Sequence, residues 1–411
     1  MKFRTVLATG LFVASAAGCA YLACAVARTI VFGRRRNDLH AAQRADGPQA
    51  SASRQALPPV TILKPLCGDE PDLFDNLASF CDQEFGRFQI IFGVREASDP
   101  AVGVAQRVVT AFPRVDASVV VDDRMPVANR KISNVLNMMP YAKHDVLVVA
   151  DSDVRVGRSY LRDIAAPFAS AGVGAVTCLY RAAPRQRRAV QTQERLVGEL
   201  AAMFVEEHFA PSVLVATALT PMDFCLGATM AVSRTALDAI GGFAGVGAYL
   251  ADDQMLGRLV RERGFTVELA THVVETALEE RDLAALWQHE LRWAVTMHAA
   301  RPIGYSLSFI TYALPLACAY ALLRPTSALA AALLLCAGGL RFALHYCARA
   351  ALGTGAVDSP SLVLPRDLLG LAVWAAHFFC NRIRWRDAAY RLDRRGQLEP
   401  LTPAQPHQPA P

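Results

Sequence analysis

The chain reads as an α/β protein, a mostly parallel sheet covered by helices, with transmembrane helices before and after it. Three observations predict this. Short apolar runs alternate with helical patterns from Pro58 to about Ala300. Longer apolar runs flank that region, over residues 6–32 and from 303 onward. The composition lies between two kinds of protein: 53% of the 411 residues are hydrophobic, 19% are charged and the mean hydropathy is +0.25. A soluble domain of roughly 250 residues fused to membrane segments accounts for all three and can bury a full core.

The first element is the run over residues 6–32, rich in Ala and Leu and long enough to span a bilayer. Lys2 and Arg4 precede it, as they would in a cleaved signal peptide, but the run exceeds an ordinary signal core. More positive charge follows it (Arg28, Arg34, Arg35, Arg36) than precedes it. That places the N-terminus outside and the bulk of the chain in the cytoplasm. Residues 1–36 are therefore expected to form an anchor. Residues 37–57, polar with Gly, Pro, Ser and Gln, read as a linker.

Residues 58–300 are expected to form the α/β domain. Strands are predicted over 60–64, 88–94, 117–121, 146–150, 174–179 and 265–269, from apolar runs bounded by polar residues. Residues 301–353 hold two apolar segments, 303–323 and 327–352, which predict a transmembrane hairpin. A third segment, 362–380, contains Pro365-Arg366-Asp367, costly in lipid unless those side chains face protein or water. Basic residues from Arg382 to Arg395 follow it and belong on the cytoplasmic side. Residues 354–396 are therefore expected to hold a re-entrant or third C-terminal membrane segment, the re-entrant or interfacial form being favoured, followed by a basic cytoplasmic stretch. The Pro-rich residues 397–411 are expected to be disordered.

The net charge of +5 is modest, and the arginines cluster beside apolar segments. They mark topology and contacts with anionic lipid, not nucleic-acid binding. The ten cysteines show no CxxC pair, and no HExxH occurs, so neither a zinc site nor a disulfide framework is expected.

Six polar sites interrupt this framework. Lys64-Pro65 ends the first strand, where a loop can lie against a nucleotide base; a plain strand and turn is the alternative. Asp99-Pro100 follows the second strand. Asp99 can accept from a uracil imide N–H, and it also suits a helix N-cap with Pro at the first helical position. Lys131 in Asn129-Arg130-Lys131-Ile132-Ser133-Asn134 can meet a phosphate, with Asn134 orienting it; a surface helix start fits equally.

Asp151-Ser152-Asp153 ends the strand over 146–150. Carboxylates at the C-terminal end of a parallel strand sit where open α/β sheets bind ligands. A hard cation held with a diphosphate needs one or two carboxylates, phosphate oxygens and water. Asp153 is the candidate metal ligand, Asp151 a sugar or ribose contact, and Arg155 a brace for both. Asp252-Asp253 either cap a helix or supply, through Asp253, a general base for an acceptor hydroxyl. Arg292-Trp293 ends an amphipathic helix. The pair suits an interfacial anchor or a cover for a diphosphate, with Arg292 neutralising the leaving group.

Taken in order, Asp99, Asp151-Ser152-Asp153, Asp253 and Arg292-Trp293, followed by membrane segments, resemble a family-2-type membrane glycosyltransferase of GT-A fold. Within that class the chain is similar to the ceramide glucosyltransferase family. The stretches that carry the resemblance are Leu63-Lys64-Pro65-Leu66 with Gly68, Ser98-Asp99-Pro100-Ala101, Lys131-Ile132-Ser133-Asn134, Asp151 to Val156, and Trp385-Arg386 with Tyr390-Arg391-Leu392. Leu66-Cys67-Gly68, Val176 to Arg181, Phe209 to Ala216 and Tyr249 to Asp253 look like the bacterial branch associated with hopanoid biosynthesis. Five motifs in order make the resemblance specific from about Val60 to Gly396. Family-2 synthases usually carry Gln or Arg where His289 stands here. The absence of that residue argues against a polymerising enzyme.

The resemblance implies a GT-A domain in the bacterial inner membrane, facing the cytoplasm. It would transfer N-acetylglucosamine from a UDP-sugar donor to a membrane lipid acceptor, hopanoid or ceramide-like, with Mg2+ or Mn2+ as cofactor. Glucose transfer to ceramide is the alternative. A phosphohydrolase using Asp151 as nucleophile is disfavoured, since its motif belongs on a first strand and Arg155 replaces the expected Thr or Val. A non-catalytic scaffold would tolerate loss of the four acids together.

Overall fold

The computed structural model describes residues 2–45, 57–68, 70, 72–183, 192–278, 280–354 and 359–380, with the strands 383–385, 388–392 and 398–400. Residues 46–56 of the expected linker, Arg382, Arg386, Arg395 and the tail beyond Pro400 lie outside the described residues.

The apolar runs pair into a mixed eight-stranded sheet. Its strands are β1 Val60–Pro65, β2 Phe88–Val94, β3 Asp116–Val121, β4 Val146–Ala150, β5 Val154–Arg155, β6 Val173–Ala182, β7 Thr229–Ser233 and β8 Thr266–Thr276. Their order across the sheet is β3-β2-β1-β4-β7-β6-β8-β5. The first half is parallel, with Val60 opposite both Phe88 and Val146. Five residues of β1 and all of β4 are buried, as continuous apolar runs in a doubly covered sheet should be.

The second half departs from the parallel expectation. β7, not predicted from the sequence, inserts antiparallel between β4 and β6, with Ala150 opposite Thr229. β8 runs to Thr276, well past the predicted end, and pairs parallel with β6 and antiparallel with β5. The consequence is local. The C-terminal ends of β1, β2 and β4 and the chain entering β7 all reach one edge of the sheet. A small antiparallel sheet, β9 Ile383–Trp385, β10 Ala388–Leu392 and β11 Leu398–Pro400, follows the last helix.

The helices in chain order are α1 Lys2–Ala45, α2 Leu73–Cys81, α3 Pro100–Ala111, α4 Arg130–Met138, α5 Tyr160–Ala165, α6 Thr192–Phe204, α7 Ala210–Leu219, α8 Arg234–Ala239, α9 Asp252–Glu262, α10 Leu283–Ala300, α11 Pro302–Leu307, α12 Ala313–Leu323, α13 Ala328–Leu352 and α14 Val363–Ala376. α1 continues to Ala45, nine residues past the expected end of the anchor at Arg36. Its Phe32 joins the core of the α/β domain, together with Leu352 from α13. Close approach is made possible by glycine: a Cβ on Gly33 would lie 2.9 Å from that of Ala351.

Among the described residues, four helices are long and apolar enough to cross a bilayer: Phe3–Ala42, Gln193–Leu219, Ala328–Leu352 and Pro360–Phe379. Pro302–Thr311 and Ala313–Leu323 form a further pair bent by 59°. The Gln193–Leu219 helix was not expected from the sequence. A π-turn, Val205–Phe209, separates α6 from α7. Pro211 lacks an N–H and its ring crowds the carbonyl of Glu207, which widens the turn. Glu207 meets Arg341 at 2.8 Å and His345 at 2.6 Å, and Asp367 meets Arg341 at 2.9 Å and His208 at 3.0 Å. These charges pair inside the helix bundle, which is how apolar helices tolerate them.

Candidate active site

The acids converge at the middle of the sheet, where the C-terminal end of β4 meets the start of β7. Lys131, in the first turn of α4, bonds the carboxylate of Asp151 at 2.7 Å and lies 3.8 Å from that of Asp252. Burial alone would lower its pKa, but Asp151 and Asp252 outweigh it and hold the ammonium charged above its ordinary range. Lys64 is fully buried at the end of β1 and donates to the backbone carbonyl of Asp151. Its ammonium lies 3.9 Å from the centroid of the Phe80 ring, and burial pushes its pKa down to about 7. Pro65 ends β1 beside it.

Asp153 accepts a hydrogen bond from Thr276 Oγ1 at 2.6 Å. Burial, then the charge of Asp151, pushes its carboxyl up to about 6. Asp252 and Asp253 open α9. Burial, then Asp252, raises Asp253 to about 7, and Asp252 itself is raised by burial against the pull of Lys131. A Cβ on Gly227 would lie 3.2 Å from Asp253 Oδ2 and 4.0 Å from Asp151 Oδ2. Two carboxylates from separate elements thus face one glycine.

The other predicted residues divide. Asp99 caps α3 by accepting from Ala101 N at 2.9 Å, and its oxygens also accept from Gly68 N at 3.0 Å. Gly68 has φ +83°, a left-handed turn that suits glycine. Asn134 donates to the carbonyl of Gly93 at 2.8 Å, inside the β2 packing. Arg155 lies 3.5 Å from Asp75 on α2 rather than bracing Asp151 and Asp153. Trp293 packs among Tyr180, Phe204, Phe209 and His289, with ring centroids 5.0 to 6.5 Å away. Arg292 is half-buried, and burial lowers its pKa against the opposing charge of Glu280. His289 bonds Glu280 through Nδ1.

Sequence reasoning assigned no individual role to four participants. Asn129 caps α4 through Ile132 N at 3.2 Å, and its amide donates to Tyr249 O at 2.9 Å and to Asp252 Oδ1 at 3.4 Å. It ties the Lys131 helix to the Asp252 turn. Gly227 and Thr276 carry no motif. Tyr180 is buried on β6, and burial followed by the charges of Asp253, Asp151 and Asp153 raises its phenol. Only the potential N-cap at Asn129 left a signal in the sequence.

The donor set suits a hard cation. Among the described residues no group of three or more His, Cys, Asp or Glu side chains is placed to hold a metal. A cation at Asp153 would therefore draw its remaining ligands from water and a bound diphosphate, the ordinary arrangement for Mg2+ with nucleotides.

A sheet of this order with acids at the β4 end is the GT-A architecture of nucleotide-diphospho-sugar transferases. A mannosyltransferase from Pyrobaculum calidifontis, solved with GDP-Man and Mn2+, has a similar fold, with TM-score 0.50 and 17% identity over 89% of this chain and 99% of that one. The chain belongs to Glycosyl transferase family 21, whose model matches residues 11–398. Ceramide glucosyltransferase 3 of Caenorhabditis elegans is 24% identical over 253 residues, 60% of this chain and 52% of that protein. The ceramide glucosyltransferase of Komagataella phaffii is 34% identical over 101 residues, 24% of this chain and 20% of the relative. The chain spans about half the length, or less, of the curated relatives it matches.

Proposed function

We propose that this protein moves N-acetylglucosamine from UDP-N-acetylglucosamine to a hydroxyl of a hopanoid lipid such as bacteriohopanetetrol, in a single inverting displacement. The observation that carries the glycosyl-transfer part is the convergence of Asp151 and Asp253 on Gly227. It sets a donor-side carboxylate and an acceptor-side carboxylate around one small space. The hopanoid part rests on the sequence resemblance of Leu66-Cys67-Gly68, Val176 to Arg181 and Tyr249 to Asp253.

Pro65 and Asp99 border the nucleotide, Lys131 and Asp151 hold the sugar diphosphate, and Lys64, buried beneath them, supports the Asp151 backbone rather than meeting the nucleotide. Asp153 would hold Mg2+ or Mn2+, which when bound neutralises charge on the departing UDP. The acceptor oxygen forms its bond to the sugar's anomeric carbon as the bond to the diphosphate breaks. Its proton passes to Asp253, whose raised pKa suits a base working near neutrality. Arg292 offsets charge on the leaving group, and Trp293 walls the site. Arg155, paired with Asp75, supports β5 rather than the donor. The protein sits in the bacterial inner membrane with this domain in the cytoplasm, a reading supported by Arg34, Arg35 and Arg36 after the first apolar helix.

Glucose transfer to ceramide is the second reading, favoured by the names of the relatives. Lipid mass spectrometry of strains with and without the protein separates the two. A hexosamine on a polyol terpenoid supports the first, a hexose on ceramide supports the second, and an unchanged lipid profile defeats both.

A further inference from the structure

α10, which carries Arg292 and Trp293, closes at Arg301, whose N–H bonds Met297 O at 2.8 Å. Pro302 then starts α11, a short helix exposing Ile303 (76%) and Leu307 (57%), and the chain bends by 59° into α12. Leu219, at the end of α7, is 74% exposed. Exposed apolar tips beside the apolar helices suit the surface of a bilayer.

Arg301, at the start of α11, links that helix to the segment that follows α7 and to the turn that carries the base. Its guanidinium pairs with Asp223, lies 5.3 Å from the centroid of the Phe224 ring and donates through Nε to Gln254 Oε1 at 3.4 Å. Gln254 follows Asp253, and its N–H bonds Asp253 Oδ1 at 2.8 Å. Cys225 N bonds Asp253 O at 3.1 Å. The backbone of Phe224 and Cys225 packs so tightly on Gly257 that a Cβ there would come within 2.3 Å. Arg301 therefore touches both elements that hold Asp253.

We infer that Arg301 is a positioning residue for the lipid acceptor, clasping the membrane-facing helix α11 to the Asp253 turn so that a hydroxyl held at the bilayer surface meets the base. The inference rests on the lipid-transfer reading above. The pair with Asp223 is about 40% exposed on both sides, and pairs so placed contribute little to stability. What the clasp controls is the register between apolar surface and site.

The test uses the full chain in mixed micelles with bacteriohopanetetrol and UDP-N-acetylglucosamine. Arg301→Gln is expected to lower kcat/KM for the lipid about five-fold or more, a loss in scale with an interfacial ion pair. The KM for the donor, slow hydrolysis of the donor by water and the Tm stay unchanged. Arg301→Lys, which keeps the charge opposite Asp223, recovers part of the loss, and the exchange Arg301→Asp with Asp223→Arg recovers more than either single change. Unchanged lipid kinetics in Arg301→Gln overturn the inference. So does an equal loss toward lipid and donor with a lowered Tm, which marks a merely structural role. A wild-type protein that hydrolyses the donor but glycosylates no lipid defeats the transfer reading itself.

Discussion

Arg366 and Glu290 form a two-pronged ion pair, Nη1 to Oε1 at 2.5 Å and Nη2 to Oε2 at 2.6 Å, with both side chains buried. The pair fastens α14 to α10, two residues from Arg292. It explains how Arg366 sits in an apolar segment. Arg366→Leu leaves a buried carboxylate without its partner, which costs about 3–5 kcal/mol. The double variant Glu290→Leu with Arg366→Leu is expected to recover most of that stability, because a well-packed apolar pair avoids the desolvation cost. Thermal unfolding in detergent of the single and double variants checks this. A double variant no more stable than the single would show that the pair is needed for more than charge balance.

Asp253→Asn is expected to keep UDP-sugar binding and lower transfer by about 10²–10⁴-fold, the usual range for a lost general base. In the wild type, the base works only when deprotonated. With its pKa raised to about 7, kcat/KM should climb with pH up to about that value and then level off. The stability effect has the opposite sense. A raised carboxyl pKa means that the folded state holds the proton more tightly, so its contribution is full at low pH and fades as pH rises through about 7. Initial rates across pH, compared with melting temperatures, measure both. Near-normal transfer by the Asn variant would remove Asp253 from the mechanism.

Gly227→Ala puts a methyl group 3.2 Å from Asp253 Oδ2, tighter than most contacts, but only 4.0 Å from Asp151 Oδ2. Gly227 is not among the residues with positive φ, so the backbone accepts alanine. The expected result is a kcat about ten-fold lower or worse, through displacement of one carboxylate, with the donor KM nearly unchanged. Full activity in this variant would mean that the space between the two acids is not where reaction occurs.

Asp99 has two separable duties. Asp99→Ala loses the cap on α3 and the bonds from Gly68, for a stability loss of about 1 kcal/mol. Asp99→Asn keeps a capping oxygen and is expected to melt near the wild type, yet to bind UDP more weakly. Calorimetric titration with UDP decides the point. Wild-type affinity in the Asn variant would confine Asp99 to its structural duty.

Much of this was legible in the sequence. β2 and β4 fall where their apolar runs predict, and β1 extends one residue beyond, because strands covered on both faces leave continuous hydrophobic stretches. Asp99 caps a helix as its Asp-Pro pair suggests. β7 left a weaker mark. It is short, and its central place follows from pairing with β4 and β6 rather than from any local period. The Gln193–Leu219 helix was hidden by its own charges. Glu199, Glu206 and Glu207 interrupt its hydropathy, and nothing nearby in the chain announces that Arg341, 134 residues away, neutralises Glu207.

Residue type and spacing specify six of the eight strands of the main sheet, the apolar segments and the acids at the strand ends. Each of these leaves a local trace in residue type and spacing. Packing between distant segments is what sets Asp253 facing Asp151 across Gly227, puts Lys131 between Asp151 and Asp252, and satisfies Arg366 and Asp367 inside the helix bundle. The reason is physical. A carboxylate's role depends on the charges and dielectric around it, and those come from residues that the antiparallel insertion of β7 and the packing of α14 bring together from distant parts of the chain.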